Sequence, residues 1–369
     1  MKFVDLFSCG GGMSSGFVAT GKFETIGAVD LEVAKPSHPI GATSCNDTYE
    51  KNLGLRPLSA DLSTKSPTDI SAHFEFNSTD VDVLISCAPC TGFSQKRASN
   101  HKFDDPRNSL IGRTAYFAEA WKPQYIVIEN VKELLRGRHK HHYQNLHRSL
   151  TKLGYNVFAE VHDLKDFGLP QSRKRSLIVA KLDGAFSLSF PRVNRFNTVR
   201  DAIGHLPPIE AGETHADDPM HAAPKMNGLS MERMKAIPKD GGSWIDLMES
   251  NSHLAIPSMD PLKPGSYPDI YGRLSWDKPA PTVTRECCHP GNGRYSHPEQ
   301  DRLLSVREMS LLQGFFPDYS FMGSLASKYR QIGDAVPPMI AQKIARAIWD
   351  DSKGIETHSN HEMQLDLAG

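Results

Sequence analysis

The sequence predicts an α/β protein built on a mostly parallel, doubly wound sheet, with a smaller loop-rich module beside it. Three observations predict this. Short β-branched apolar runs alternate with helical patterns through the first half, the signature of a sheet covered on both faces. The first run ends in an acid and a glycine cluster, a turn that opens a crevice at a strand's carboxyl end. The texture then changes after Phe190: residues 205–270, 66 of the chain's 369, hold nine of its 25 prolines, twice the average density, and few periodic runs.

A chain of 369 residues exceeds the size at which one core usually stops growing. The expected organisation is an α/β domain over 1–190, the loop-rich module over 191–272, a return to the first domain over 273–351 and a polar tail over 352–369. With 39% hydrophobic and 23% charged residues the balance is that of a globular protein, which excludes wholesale disorder. No apolar run approaches the ~18 residues of a membrane span, and MKFVDLF does not read as a signal peptide; a cytoplasmic protein is expected. A net charge of -1 and a pI near 7.0 exclude a globally basic coat, so any nucleic-acid contact must come from a local basic face. Six cysteines, at 9, 45, 87, 90, 287 and 288, are too few for a disulfide scaffold and direct attention to single reactive thiols.

The elements follow in order. KFVDLF (2–7), FETIGAVD (23–30), VDVLISC (81–87), YIVIEN (125–130) and LIVAKL (177–182) are strand candidates. SLIGRTAYFAEAW (109–121) and YQNLHRSLTKLG (143–154) are helix candidates; the second places Leu146, Leu150 and Leu153 at helical spacing and stops at Gly154. MIAQKIARAIWDD (339–351), after the breaker Pro337-Pro338, closes the ordered chain as a helix.

Four segments carry candidate chemistry. DLFSCGGGMSSGF (5–17) has the acid, tight turn and helix start of a nucleotide-type pocket, although its spacing is not GxGxxG, which counts against a dinucleotide enzyme. Asp30 closes the next strand where an acid can accept ribose hydroxyls, and Asp61 can face an adenine amine in the same crevice. In CAPCTGFSQKR (87–97) Cys90 follows a strand and a proline, on a crevice rim, where neighbouring cations would activate a thiolate. A zinc or redox pair with Cys87 is the rival reading. Zinc needs two more ligands, and the adjacent Cys287 and Cys288 are awkwardly spaced, so no metal site is expected. Glu129 ends an apolar strand, as a general acid, as a partner to a base, or as the cap of the next helix. In QSRKRS (171–176), Arg173 and Arg175 share one face if the segment is extended, which suits a phosphate or a developing anion; a solvated basic edge is the alternative. Residues 132–152 hold six Lys and Arg against Glu133. They read equally as a phosphate-contacting face or a solvated one, with His139, His141 and His142 as surface residues.

In order along the chain, DLFSCGGG (5–12), PCTGFS (89–94), ENV (129–131), QSRKR (171–175), RLSWDKPAPTVT (273–284), HPEQDRLLSVREMSLLQGFF (297–316) and YRQIGDAVPP (329–338) resemble the motif series of the bacterial restriction-modification DNA cytosine-5 methyltransferases. The resemblance runs from Phe3 to about Trp349. It implies a Rossmann-like domain that uses S-adenosylmethionine, with 191–272 as a target recognition domain and the loop 91–108 closing over the substrate. It implies Cys90 as nucleophile, Glu129 holding the base edge, and Arg175 assisting with Arg173 nearby. It implies a cofactor pocket of Phe7, Ser8, Cys9, Gly10, Gly12, Asp30, Leu31, Asp61, Leu62, Pro89, Leu110, Asp334 and Ala335. The implied substrate is double-stranded DNA with a short cytosine-bearing recognition sequence, bound by a monomer, with a cognate restriction endonuclease or other defence component as a possible companion.

Three positions depart from the family pattern. Ala88 replaces the first proline of PPCQ, Thr91 replaces the glutamine after the nucleophile, and Asp334 replaces the asparagine of GNAVPP. Three other readings stand against the resemblance: an RNA (tRNA) cytosine-5 methyltransferase of the same fold, a non-catalytic DNA-binding paralogue, and a Rossmann oxidoreductase. The recognition region lacks the CFT signature of the transfer-RNA branch, Cys90 and Glu129 are both present, and the glycine spacing is wrong for a nicotinamide.

Overall fold

The computed structural model describes residues 1–33, 41–89, 92, 104–186, 188, 190–260 and 269–355. The first half runs β1 (Lys2–Leu6), α1 (Gly12–Val18), β2 (Glu24–Asp30), α2 (Cys45–Leu53), β3 (Leu58–Ser59), α3 (Pro67–Phe74), β4 (Val83–Ser86), α4 (Arg113–Trp121), β5 (Tyr125–Val131), α5 (Glu133–Arg136), α6 (His141–Lys152), β6 (Tyr155–Asp163) and β7 (Lys174–Leu182). The second half runs α7 (Val199–Ile203), α8 (Gly228–Ala236), α9 (Trp244–Ser250), α10 (Val306–Leu312), α11 (Leu325–Asp334) and α12 (Pro338–Ser352).

The seven strands lie in the order β3-β2-β1-β4-β5-β7-β6. Strands β1 to β5 pair in parallel, and β7 runs antiparallel between β5 and β6. Alternation along each strand feeds two cores, as a doubly covered sheet requires. Val4, Leu6, Leu84, Ile126 and Ile128 pack with Ile70, Phe117, Leu146 and Leu150 of α3, α4 and α6. Phe3, Val83, Ile85, Tyr125 and Val127 face the other way, against Phe17 of α1 and Ile340, Ile344 and Ile348 of α12. Helix α12 therefore returns the chain's end to the face that α1 covers.

Strands β3 and β6 were not among the candidates: β3 has two residues, and β6 is half-exposed along most of its length, without a clean period. The stretch 109–121 divides into a 3-10 turn, Pro106–Gly112, and α4. Leu153 caps α6 instead of lying inside it. The proline-dense stretch contains two helices the sequence reading did not foresee, α8 and α9, with Asn227 and Ser243 as side-chain N-caps. Met234, Ile237, Trp244, Leu247, Met259, Ile270 and Tyr271 form a small core of their own. Val199, Ile203 and Met220 pack instead with residues 274–335. Among the described residues no helix is long and apolar enough to cross a membrane.

A buried ion pair anchors the returning segment. Arg302 donates through both terminal nitrogens to Glu308, at 2.7 and 2.8 Å, and both side chains are about fully buried. Glu308 also accepts from the Ser305 N–H at 2.6 Å, and Ser305 Oγ accepts the Glu308 N–H, a capping box at the start of α10. Replacing Glu308 by alanine strands the guanidinium inside the protein, so a loss of about 3–5 kcal/mol is expected in denaturant unfolding. Burial would raise the Glu308 carboxyl, but the Arg302 hydrogen bonds and charge outweigh it and hold it below its ordinary value. Burial also pushes His297, 3.7 Å from Glu308, down to about 4. Both folded-state values lie below the unfolded ones, so their stabilisation is present above about pH 6.5 and is lost as pH falls through 4. The melting temperature is expected to fall across that window.

Candidate active site

The site residues gather at one edge of the sheet, where β1 pairs with β2 on one side and β4 on the other. In such a sheet this is the crevice at the carboxyl ends where the strand order reverses. Because β7 is antiparallel, its amino end reaches the same edge: Arg175 pairs in register with Val131, and Ser176 with Asn130.

The glycine loop follows β1. Phe7 and Cys9 both hold positive φ, 62° and 46°, and Gly11 takes 82°; the loop keeps this uncommon backbone because its neighbours fix it. The Ser8 N–H donates to Val29 O at 3.1 Å. The Cys9 N–H donates to Asp30 Oδ2 at 2.9 Å, and the Glu32 N–H to Asp30 Oδ1 at 2.7 Å. Gly12 begins α1 so close to the α11–α12 corner that a Cβ there would stand 2.4 Å from Val336 O. Gly10 O accepts from the Tyr319 hydroxyl. Sequence elements more than 300 residues apart thus form one wall.

The other predicted pocket residues differ in exposure. Phe7, Leu31, Pro89 and Leu110 are half-buried, Leu62 and Ala335 are buried, and Asp61 is exposed with its Oδ1 accepting the Ser63 N–H. Asp334, at the end of α11, lies 3.1 Å from Arg285. Its side chain is 36% accessible, yet protein surrounds it closely enough that burial raises its carboxyl to about 6. The two facts describe a crevice wall: wet, but walled in. Burial raises Asp30 as well. Deeper, burial pushes Asp5 up to about 7; its carboxyl accepts from Ser14 Oγ at 2.5 Å.

These residues fit S-adenosylmethionine. Ser8 Oγ is buried with no hydrogen-bond partner among the described residues, so a polar group is left for a ligand. Asp30 closes β2, where an acid can accept ribose hydroxyls, and Asp334 offers negative charge to a sulfonium or an ammonium.

The predicted catalytic residues lie on or beside β4, β5 and β7. Glu129 is 8% exposed near the end of β5. Arg175 Nε stands 2.9 Å from Glu129 Oε1, an ion-pair distance. Its N–H is not aimed at that oxygen, so Oε1 accepts no hydrogen bond among the described residues. The carboxylate is charge-compensated, and its Oε1, buried against Arg175, keeps unused acceptor capacity. It does not cap the next helix; Lys132 holds the cap position of α5. Asn130 Nδ2 donates to Ala88 O at 3.0 Å, and the Glu129 N–H reaches Cys87 Sγ at 3.5 Å. Two contacts therefore tie the segment leading to Cys90 onto β5. Cys90 and Thr91 lie outside the described residues, as does most of the loop 91–108.

The two arginines part. Arg173 precedes β7 and is 2% exposed. Its Nη1 donates to Val283 O at 2.9 Å and its Nη2 to Ala335 O at 3.3 Å. It braces the returning segment, while Arg175 turns to Glu129. Sequence reasoning missed Asn130 and Arg285. The first stands inside ENV and was legible as a polar residue in an apolar strand; the second pairs across 49 positions, and no local signal marks it.

A family model described as C-5 cytosine-specific DNA methylase matches residues 1–350. The chain is 33% identical to the type II methylase M.HgiDII of Herpetosiphon aurantiacus, covering 94% of each. It is 35% identical to the type II methyltransferase M1.HphI of Haemophilus parahaemolyticus, over 94% of this chain and 86% of that one. Among solved structures, a candidate DNA modification methyltransferase encoded within an E. coli prophage has the same fold, with a TM-score of 0.70 at 20% identity over 95% and 99% of the two chains. The Dnmt2 methyltransferase of S. pombe follows with a TM-score of 0.59 at 17% identity over 95% and 98%. The strand order, the glycine loop at the switch point and the Glu129–Arg175 pair sit in a chain that belongs to the C-5 cytosine-specific DNA methylase family.

Proposed function

We propose that this protein is a sequence-specific DNA methyltransferase that methylates carbon 5 of cytosine through a Cys90 adduct. The observation that carries the reading is the Glu129 carboxylate, buried and paired to Arg175, with acceptor capacity at Oε1 that no hydrogen bond among the described residues uses, at the edge where the glycine loop and the segment leading to Cys90 meet. S-adenosylmethionine supplies the electrophilic methyl group when bound. Carbon 5 of cytosine is a poor nucleophile, so the Cys90 thiolate adds to carbon 6 and makes the ring electron-rich at carbon 5. A proton shared between Glu129 and ring nitrogen 3, with the exocyclic amine donating to the other carboxyl oxygen, makes that addition feasible. Arg175 orients Glu129 and stabilises developing charge; Arg173, through Ala335 O, positions the wall below. After transfer the carbon-5 proton leaves to a base, the sulfur–carbon-6 bond breaks, and the thiolate is restored. Carbon 5 lies inside a duplex, so the cytosine must swing out into this crevice.

The module centred on the small core at 234–271 is the proposed recognition domain. Lys132, Arg136 and Arg138, just after β5, are the proposed phosphate contacts. A companion restriction endonuclease and a monomeric, cytoplasmic enzyme complete the proposed reading. Bisulfite sequencing of a methylation-free bacterial host expressing the chain tests the reading. Protected cytosines in one short motif are expected; no protection, with folded and cofactor-binding protein, overturns it in favour of RNA or of a binding role.

Asp334 gives the cofactor reading a pH signature. Its carboxyl titrates near 6, and a cationic cofactor binds the ionised form better, which lowers that value in the complex. Affinity is therefore level above about pH 6 and weakens below it, by up to tenfold per pH unit. Calorimetry with S-adenosylmethionine is expected to show this, with a smaller slope for the uncharged thioether product and for Asp334→Asn.

A further inference from the structure

Away from the crevice, one side-chain cluster has no part in this chemistry. Asp104 stands just before the 3-10 turn Pro106–Gly112, and three histidines lie on the approach to α6 and at its start. His141 Nε2 is 3.2 Å from Asp104 Oδ2, and His139 Nδ1 is 3.7 Å from Asp104 Oδ1. One donor atom from each of Asp104, His139 and His141 lies within 4.8 Å of the other two. His142 Nε2 reaches the same carboxylate at 2.8 Å, and Asn108 Nδ2 donates to Oδ1 at 2.7 Å.

One carboxylate thus gathers three imidazoles and an amide. Asn108 and His142 already supply it with donors. The rings stand close together, with His139–His141 and His141–His142 centroids 6.1 and 4.2 Å apart. An imidazole nitrogen that carries no proton presents a lone pair, which a divalent cation can use. Around a tetrahedral ion with bonds of about 2.0–2.2 Å, donors stand about 3.3–3.6 Å apart; His141 and His139 approach the two oxygens of Asp104 at 3.2 and 3.7 Å, and the three donor atoms, all within 4.8 Å of one another, leave a small contraction for an ion to make. Two imidazoles and a carboxylate are a zinc donor set, and the exposure of Asp104 and His141 leaves the fourth position to water. His142 and Asn108 then support the ligating carboxylate from outside.

We propose that Asp104, His139 and His141 form a zinc site that fastens the chain at 104 to the start of α6. The site is independent of the methyltransferase reading, and its test needs no activity. Full-length protein, stripped with a chelator and desalted, is titrated with Zn2+ alone against a chromophoric competitor. One equivalent at submicromolar affinity is expected. His139→Ala and His141→Ala each weaken it at least tenfold, and His142→Ala weakens it about tenfold. Zinc raises the melting temperature of the wild type and not of the His139→Ala/His141→Ala double variant. Should the double variant fail to fold, Asp104→Asn provides the same comparison. Absence of a tight equivalent, or equal binding by the variants, overturns the proposal and leaves an adventitious ion only.

Discussion

Cys90→Ala is expected to reduce methyl transfer to DNA by at least about 10^3-fold, to the limit of detection, while cofactor binding and melting temperature stay near wild type. The reason lies in the substrate. The carbon-5 position has no electron pair to offer until a nucleophile adds at carbon 6; the acids of the proposed site hold the base or the cofactor, and burial pushes the Cys87 thiol beside Glu129 well up, away from the reactive thiolate. A duplex carrying 5-fluorocytosine separates this role from a structural one. The thiolate adds to carbon 6 and carbon 5 gains its methyl, but carbon 5 then bears fluorine where a proton should leave. The sulfur–carbon bond cannot break by elimination. A denaturation-resistant, cofactor-dependent protein–DNA adduct is expected for the wild type and none for Cys90→Ala. A wild-type protein that binds cofactor and DNA yet gives no adduct would remove the covalent mechanism.

The sequence placed this chemistry because its carriers are local. The glycine loop, the acid at the end of β5 and the arginines at the start of β7 each follow or precede an apolar run whose length and β-branching identify a strand. Five of the seven strands were legible in that way; β3 has only two residues, and β6, though nine residues long, is half-exposed and interrupted by polar residues, so it offers no apolar run. Pairing across distance was not legible. Strict alternation put Arg173 and Arg175 on one face, but β7 begins only at Lys174. Arg173, just outside the strand, is free of its alternation and reaches carbonyls at 283 and 335. Proline density suggested loops through 205–270. Between the prolines, the Ser243 capping box with Asp246 and the apolar Trp244 and Leu247 suffice for a short helix. The departure at Asp334 also becomes intelligible: Arg285, 3.1 Å away, offsets the added charge.

Glu129→Gln is the second large effect: a fall in kcat of about 10^2–10^4 with KM for DNA changed only a few-fold. Glutamine keeps the shape of the side chain, can accept from the exocyclic amine and can donate to ring nitrogen 3. It cannot give up a proton there, so the base is still held while thiolate addition loses its assistance. The structure makes this a clean substitution, because Oε1 accepts no hydrogen bond among the described residues and the Arg175 contact is one of charge more than of direction. Removing the charge leaves Arg175, 12% exposed in its side chain, without its counterion. Arg175→Gln in the wild type leaves the opposite charge uncompensated, so it is also expected to be slow. The double variant Glu129→Gln/Arg175→Gln is expected to be little slower than Glu129→Gln alone, as two groups acting as a unit require. Single-turnover rates at saturating DNA measure all three. A Glu129→Gln enzyme that loses only affinity for DNA, or strictly additive losses in the double variant, would mean that Glu129 holds the substrate without assisting the addition.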